Sequence, residues 1–425
     1  MKLTNSLHLI ASCLLCAAVL PAADWPQYRG PLQDGISSEK LPLKTWPATG
    51  LAQIWKAPTA TGFSSFSVGA RSVFTIVVRE VDGVKREACV SLDAASGDER
   101  WAALLSPAKY DGGGDSGGGG DGPRSTPMFN DGLVYVYDSR LLLQCLDAKD
   151  GRVVWSKDIV NEHAGRNIRW QSAASPVVDD KSVFIPGGGP GESLLAFDKK
   201  SGALVWKAQD DSMTHATPVV VTLGGVRQLI CFMQKGLLSV DVATGKALWS
   251  YPFKYVTSTA ASPVVCGDLV YCSAGYGVGA GLVKIVRKGD EFTATEVWRK
   301  VDKLVNHWST PVFKDGYLYG IFGFKEYNKA ALKCVELQTG KEMWSKEGFG
   351  PGNVILVDNH LVALGDRGQL VLVKAAPEAY TEVSRMQAVG GKCWSTPAYT
   401  EGRLYVRSTT EGVCLDALRQ PVVKQ

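Results

Sequence analysis

The sequence predicts an all-β fold, an eight-bladed β-propeller of four-stranded antiparallel blades, with the ring closed by an N-terminal strand around Trp55 that completes the last blade. Three observations carry this. The pattern D-x-x-x-G-x-x-x-W recurs as "DAASGDERW" ending at Trp101, "DAKDGRVVW" at Trp155, "DKKSGALVW" at Trp206 and "DVATGKALW" at Trp249, and "ELQTGKEMW" repeats it at Trp344 with Glu336 in the acidic place. A second anchor, Ser or Thr followed by proline, ends at Pro127, Pro176, Pro218, Pro263, Pro311 and Pro397. The last repeat reaches Asp416 without a tryptophan strand, while "AQIWKA" stands unmatched near the start. A fixed period with β-branched runs punctuated by Gly and Pro marks a propeller rather than a helical array.

The elements follow in chain order. Residues 1–23 read as a secretory signal peptide: Lys2, an apolar stretch from Leu7 to Leu20, then Pro21-Ala22-Ala23. "IASC" also fits a lipoprotein cleavage pattern at Cys13, a reading ranked below simple cleavage because polar residues break the stretch before it. Residues 24–50 form an extended segment, 51–418 the propeller and 419–425 a tail. Two degenerate anchors, "FSSF" (Phe63 to Phe66) and "PGNV" (Pro351 to Val354), bring the units to eight. Each holds an anchor strand, a tight turn, an alternating strand, a third strand ending at the acidic residue and a fourth carrying the tryptophan. Trp55, Trp101, Trp155, Trp206, Trp249, Trp298 and Trp344 are expected to fill the gaps between blades, and Ser384 in "TEVSRM" predicts a softer contact in the seventh.

Composition narrows the function. Charged residues are 21%, apolar residues 45% and the formal charge is +4, which is ordinary globular balance with no footprint for nucleic acid. Eight of the ten cysteines lie beyond the leader. Cys145, Cys334 and Cys414 stand two residues before an acidic residue, a slot that Ala196 and Ser239 also fill, so the slot reads as tight packing. None of the eight shows C-x-x-C or Cys/His metal spacing, and no pairing is compelled.

The repeat and its [ST]-P anchors resemble the quinoprotein-type, or PQQ-like, propeller repeat over roughly residues 50–416. That resemblance implies one of two classes: periplasmic dehydrogenases that hold pyrroloquinoline quinone and Ca²⁺ over the central channel, or non-catalytic propellers similar to BamB of the outer-membrane assembly machinery. "DWPQYRGPLQDG" (Asp24 to Gly35) is similar to the start of many exported bacterial propellers.

Residues just before each anchor should line the channel mouth: Phe63, Arg124, Arg169, Trp170, His215, Tyr255, His307, Trp308, Asn353, Lys392 and Trp394. Aromatic and cationic groups there suit a planar anion; the same tryptophans equally read as channel plugs. His163, His215 and His307 lie on different blades, so a shared metal is not expected. Asp111, Asp115 and Asp121 on the glycine-rich loop offer oxygen ligands for a hard cation, against the reading as a flexible inter-blade loop. "GYGVGAG" (Gly275 to Gly281) and "PGGGPG" (Pro186 to Gly191) read as loops between second and third strands, with no helix behind them to hold a phosphate.

By the resemblance, quinoprotein catalysis needs an aspartate base, Ca²⁺ ligands and usually a vicinal cysteine pair; no two cysteines here are adjacent. The leading expectation is therefore an exported, periplasmic or secreted, monomeric scaffold with no catalytic residues, no cofactor, and other envelope proteins as partners. The alternatives are a divergent quinone- and Ca²⁺-dependent oxidoreductase using Arg124, Arg169, Trp308 and Trp394, and a small-molecule or glycan binder at the same mouth.

Overall fold

The computed structural model describes residues 24–110, 122–255, 257–323 and 330–418. The leader with Cys13, the loop carrying Asp111, Asp115 and Asp121, and the tail lie outside the described residues. Eight sheets follow one another along the chain. Blades 1 to 7 span residues 67–107, 128–158, 177–208, 219–252, 264–300, 312–346 and 353–387. Blade 8 spans 398–416 and takes its outer strand from the N-terminal side, β2 (Ala52–Pro58). In blades 1 to 7 the strands of each repeat follow chain order outward, and first strands of neighbouring blades contact one another around the axis. β2 pairs antiparallel with the third strand of blade 8, Trp55 opposite Cys414, so the edge that strand would expose is covered. A short strand, β1 (Ile36–Ser37), adds in parallel to the inner edge of blade 7.

The repeated motif is an inter-blade joint. Asp93, Asp147, Asp198 and Asp241 each accept backbone N–H groups two or three residues on, at 2.8–3.1 Å, a local turn device suited to Asp. The glycine four residues on has positive φ (70–78° at Gly97, Gly151, Gly202 and Gly245), and a Cβ on Gly151 would stand 2.6 Å from the Trp101 ring of the preceding blade. That ring's Nε1–H donates to Ala148 O at 3.0 Å. Trp55 to Ala94 O, Trp155 to Lys199 O, Trp206 to Val242 O, Trp298 to Leu337 O and Trp344 to Ala376 O repeat the bond at 2.8–3.1 Å. Trp249 departs from the series because blade 5 has a long hairpin in place of the Asp–Gly turn; its Nε1–H donates to Gln228 Oε1 at 2.8 Å.

The small slot two before the acidic residue lies across the ladder from the tryptophan: Cys145 faces Trp155, Cys334 Trp344, Ala196 Trp206 and Ser239 Trp249. All eight cysteines among the described residues are buried and unpaired.

At five joints the anchor Ser or Thr has a second task. Ser65 N–H donates to Thr126 Oγ1, Thr126 N–H to Ser175 Oγ, Ser175 N–H to Thr217 Oγ1, Ser262 N–H to Thr310 Oγ1, and Thr396 N–H to Ser65 Oγ, at 2.8–3.0 Å. Each bond crosses from one blade to the next beside the axis. The hydroxyl satisfies an amide that no ladder partner reaches.

Blade 7 is not the soft joint that Ser384 predicts. Blade 8 takes its outer strand from β2, so no Asp–Gly turn links its third strand to its fourth, and a tryptophan at position 384 would have no such glycine to cover. The N-terminal segment takes the seat instead. Leu43 N–H donates to Ala417 O (3.2 Å) and Trp46 N–H to Ser384 Oγ (2.8 Å), with Leu41 and Trp46 buried in the core between the two blades.

The same segment fills the axis at the end opposite the mouth. Val68 N–H donates to Trp25 O, Phe129 N–H to Pro26 O and Leu356 N–H to Gly35 O, at 2.7–2.9 Å. Gln33 bonds Pro218 O and Val220 N–H, at 3.1 and 3.0 Å. Arg29, 2% exposed, donates to Thr310 O, Pro311 O, Asp34 O and Gln33 O at 2.6–3.3 Å. One guanidinium thus holds blade 6 to the segment through carbonyls alone, the fork geometry that arginine supplies and lysine does not.

Candidate functional site at the channel mouth

The loops entering the inner strands gather over the axis because each fourth strand ends on that side. Their side chains form two groups. In the first, Trp394 lies between Phe63 (ring centroids 4.6 Å apart, 26° between planes) and Trp308 (4.5 Å, 30°). His307 packs edge-on to Trp308 at 5.1 Å and Tyr276 to His307 at 5.3 Å. The Lys392 ammonium stands 5.0 Å from the Trp394 centroid, a cation–π distance. Asn353 Nδ2 donates to Trp394 O (2.6 Å) and Trp308 Nε1 to Pro351 O (3.0 Å), fixing both tryptophans to the loop before blade 7. Trp308 and Trp394 stack on each other, which leaves no slot for a planar quinone between them as the rings stand.

In the second group, the Arg169 guanidinium lies 4.7 Å from the Trp170 centroid and Arg124 Nη1 donates to Trp170 O at 2.8 Å. His215 sits beneath, 8% exposed, its pKa pushed down to about 4 by burial and then by the Arg124 charge. It is neutral at pH 7, so its contact with Arg169 O at 3.0 Å is an Nε2–H donation. Tyr255, also buried, packs against Phe232 and faces the core rather than the opening. His163 pairs with Glu192 at 2.7 Å on blade 3, away from His215 and His307. Among the described residues no group of three or more His, Cys, Asp or Glu side chains is placed to hold a metal.

Sequence reasoning read "GYGVGAG" and "PGGGPG" as loops between second and third strands but did not bring such loops to the mouth, where they supply Tyr276, Asp138 and Asp366. Their only signal was register: the strand that follows each anchor runs back toward the mouth. It also missed a buried acid pair. Glu87 and Asp138, both fully buried, meet between blades 1 and 2. Glu87 accepts from Tyr110 Oη at 2.5 Å and from Ser139 N–H at 3.1 Å, while Asp138 accepts backbone N–H groups of Ser106, Arg140 and Leu142 at 2.8–3.0 Å. Burial, with the neighbouring Asp138 adding to it, raises Glu87 to about 7; burial raises Asp138 too. Arg407, 1% exposed, donates to Thr75 Oγ1 and to the carbonyls of Ile76, Ala60 and Gly62, tying blade 8 to blade 1 where the ring closes.

A family model described as "Outer membrane protein assembly factor BamB" matches residues 85–346. The protein of that name from Moranella endobia (strain PCIT) is 24% identical over 278 residues, 63% of this chain and 69% of the relative. The one from Yersinia pestis is 24% identical over 209 residues, and the match spans 46% of this chain and under half, 47%, of that relative. Among solved structures, BamB from Moraxella catarrhalis superposes with a TM-score of 0.58 at 14% identity, covering 88% of this chain and 99% of that one. Quinohemoprotein alcohol dehydrogenase from Comamonas testosteroni superposes at 0.65 and 13% identity, covering 95% and 82%. At such identities the two structures speak for the fold alone.

Proposed function

The chain belongs to the propeller family described as outer membrane protein assembly factor BamB, whose model spans more than half of it, and from that premise we propose that it acts as an exported, non-catalytic binding module of the bacterial cell envelope. Its loop-bearing face holds protein partners. The observation that supports this reading is that the chain's own residues occupy both ends of the axis, the Phe63–Trp394–Trp308 stack at the mouth and the Arg29 segment at the other end. What remains to be recognised is the surface of the loops, not a pocket on the axis.

Two measurements test it. A photo-crosslinking residue placed at position 166 on the mouth face should form discrete adducts in intact cells, whereas the same residue at position 149, in an opposite-face turn, should not. The oxidoreductase alternative predicts that pyrroloquinoline quinone with Ca²⁺ raises the melting temperature of the purified protein saturably, because a ligand bound only by the folded state stabilises it. A rise that vanishes in Arg124→Ala or Trp394→Ala would replace the scaffold reading with a quinoprotein one.

A further inference from the structure

Blades 2 and 3 bring four arginines to one corner of the mouth face. Asn167 Nδ2 donates to Ser139 O at 2.7 Å, which pins the loop holding Arg166 and Arg169 to the loop holding Arg140. Arg166 N–H donates to Gly187 O at 3.1 Å, and Arg124 reaches Trp170 O from the loop before blade 2. Arg140, Arg166 and Arg169 are exposed, and none of them makes an ion pair among the described residues.

Among the described residues, the acids beside these loops have partners of their own. Glu162 is taken by Lys157 and by Asp158 N–H, and Glu192 by His163 and Lys207. Glu87 and Asp138 lie buried behind the corner with raised pKa values, so the pair does not carry two full charges at neutral pH. Three exposed guanidinium groups therefore stand at the corner without an ion pair among the described residues.

The corner is also held in a costly conformation. Leu141 (φ 68°), Ala164 (φ 50°), Trp170 (φ 67°) and Gln171 (φ 59°) are non-glycine residues in the left-handed region, all on these two loops. Such backbone persists where surrounding bonds over-determine it, and it clusters where a surface is pre-shaped for recognition. Half-buried Trp170 beneath Arg169 adds two residue types enriched among binding hot spots.

We propose that this corner docks an acidic, extended segment of a protein partner. The proposal rests on the binding-module reading above and names the chemistry of one partner surface. A protein segment fits better than a small anion because the arginines stand on separate loops, Arg140 within blade 2 and Arg166 and Arg169 in the connection to blade 3, and spaced carboxylates can meet them in turn by charge-assisted, bidentate bonds.

The test uses the purified protein and a fluorescent peptide of alternating Glu and Gly, followed by anisotropy at low and at physiological salt. The triple variant R140E/R166E/R169E is compared with K149E/K181E/K246E, which changes the same charge in exposed turns on the opposite face of blades 2 to 4. Circular dichroism and melting confirm that both variants fold. The arginine variant should bind at least about tenfold more weakly, with a flattened salt dependence, while the lysine variant stays close to wild type. Equal loss in both variants would reduce the effect to bulk charge and overturn the proposal. So would unchanged peptide binding by the arginine variant, including the case in which that variant loses affinity for vesicles containing phosphatidylglycerol, which makes lipid the occupant. If the position-166 adducts survive in R140E/R169E, the corner inference fails while the binding-module reading stands; a quinone-dependent melting shift overturns that reading and, with it, the inference.

Discussion

At the scale of single residues, each motif position answers to one physical demand. Gly151 has positive φ and the Trp101 ring against its α-carbon, so Gly151→Ala meets both strain and overlap and should cost roughly 1–3 kcal/mol in urea unfolding. Trp155→Ala empties a buried seat between blades and should cost about 3–5 kcal/mol by the same measurement. The buried pair gives a pH dependence of known sign. In the unfolded chain the Glu87 carboxyl ionises near ~4.3, and in the folded protein near 7. Below the unfolded value both states are protonated and nothing is lost. As pH rises from there through 7 the unfolded state gives up its proton first, so stability falls. Glu87→Gln should flatten that slope, leaving the variant the more stable of the two at pH 8 by on the order of 2 kcal/mol; a parallel pair of curves would show that Glu87 is not the group responsible. The motif residues were readable from their spacing, whereas Glu87 and Asp138 carried no pattern, because fifty-one residues separate them and only blade packing brings them together.

At the scale of elements, the blades are nearly interchangeable and the exceptions are instructive. A β-bulge adjoins the tryptophan position in all eight blades, where the register shifts between the third and fourth strands; such bulges sharpen the twist that lets the outer strand follow the ring. Ser384 keeps the bulge and loses the tryptophan, since the N-terminal segment holds its place. Restoring the repeat by Ser384→Trp should therefore destabilise the protein by about 1–3 kcal/mol through overpacking, and Trp46→Ala should cost about 3–5 kcal/mol through the cavity it leaves. Thermal unfolding of the two variants separates this from the repeat consensus, which expects the tryptophan to stabilise. The eight anchors were legible one by one, but the hydroxyl-to-amide chain they form was not, because its donors and acceptors sit in different blades.

At the scale of the whole molecule, closure is shared between β2 at the rim and the Arg29 segment on the axis. Arg29→Ala leaves carbonyls of blade 6 without donors and should lower stability by at least about 2 kcal/mol, with the loss seen as a fall in melting temperature. The sequence by itself determined the fold, the blade number and the way the ring closes, because these follow from local turn chemistry and from side-chain periodicity repeated often enough to be unambiguous. The mouth residues could also be placed on one face, since every loop entering an inner strand must emerge there. Only the tertiary structure decided that Trp308 and Trp394 stack on each other, that residues 24–50 plug the axis and fill the joint of blade 7, and that arginines of separate loops share a corner. Those outcomes depend on contacts between segments far apart in the chain, and a repeat pattern carries no information about how residues outside the repeat will pack.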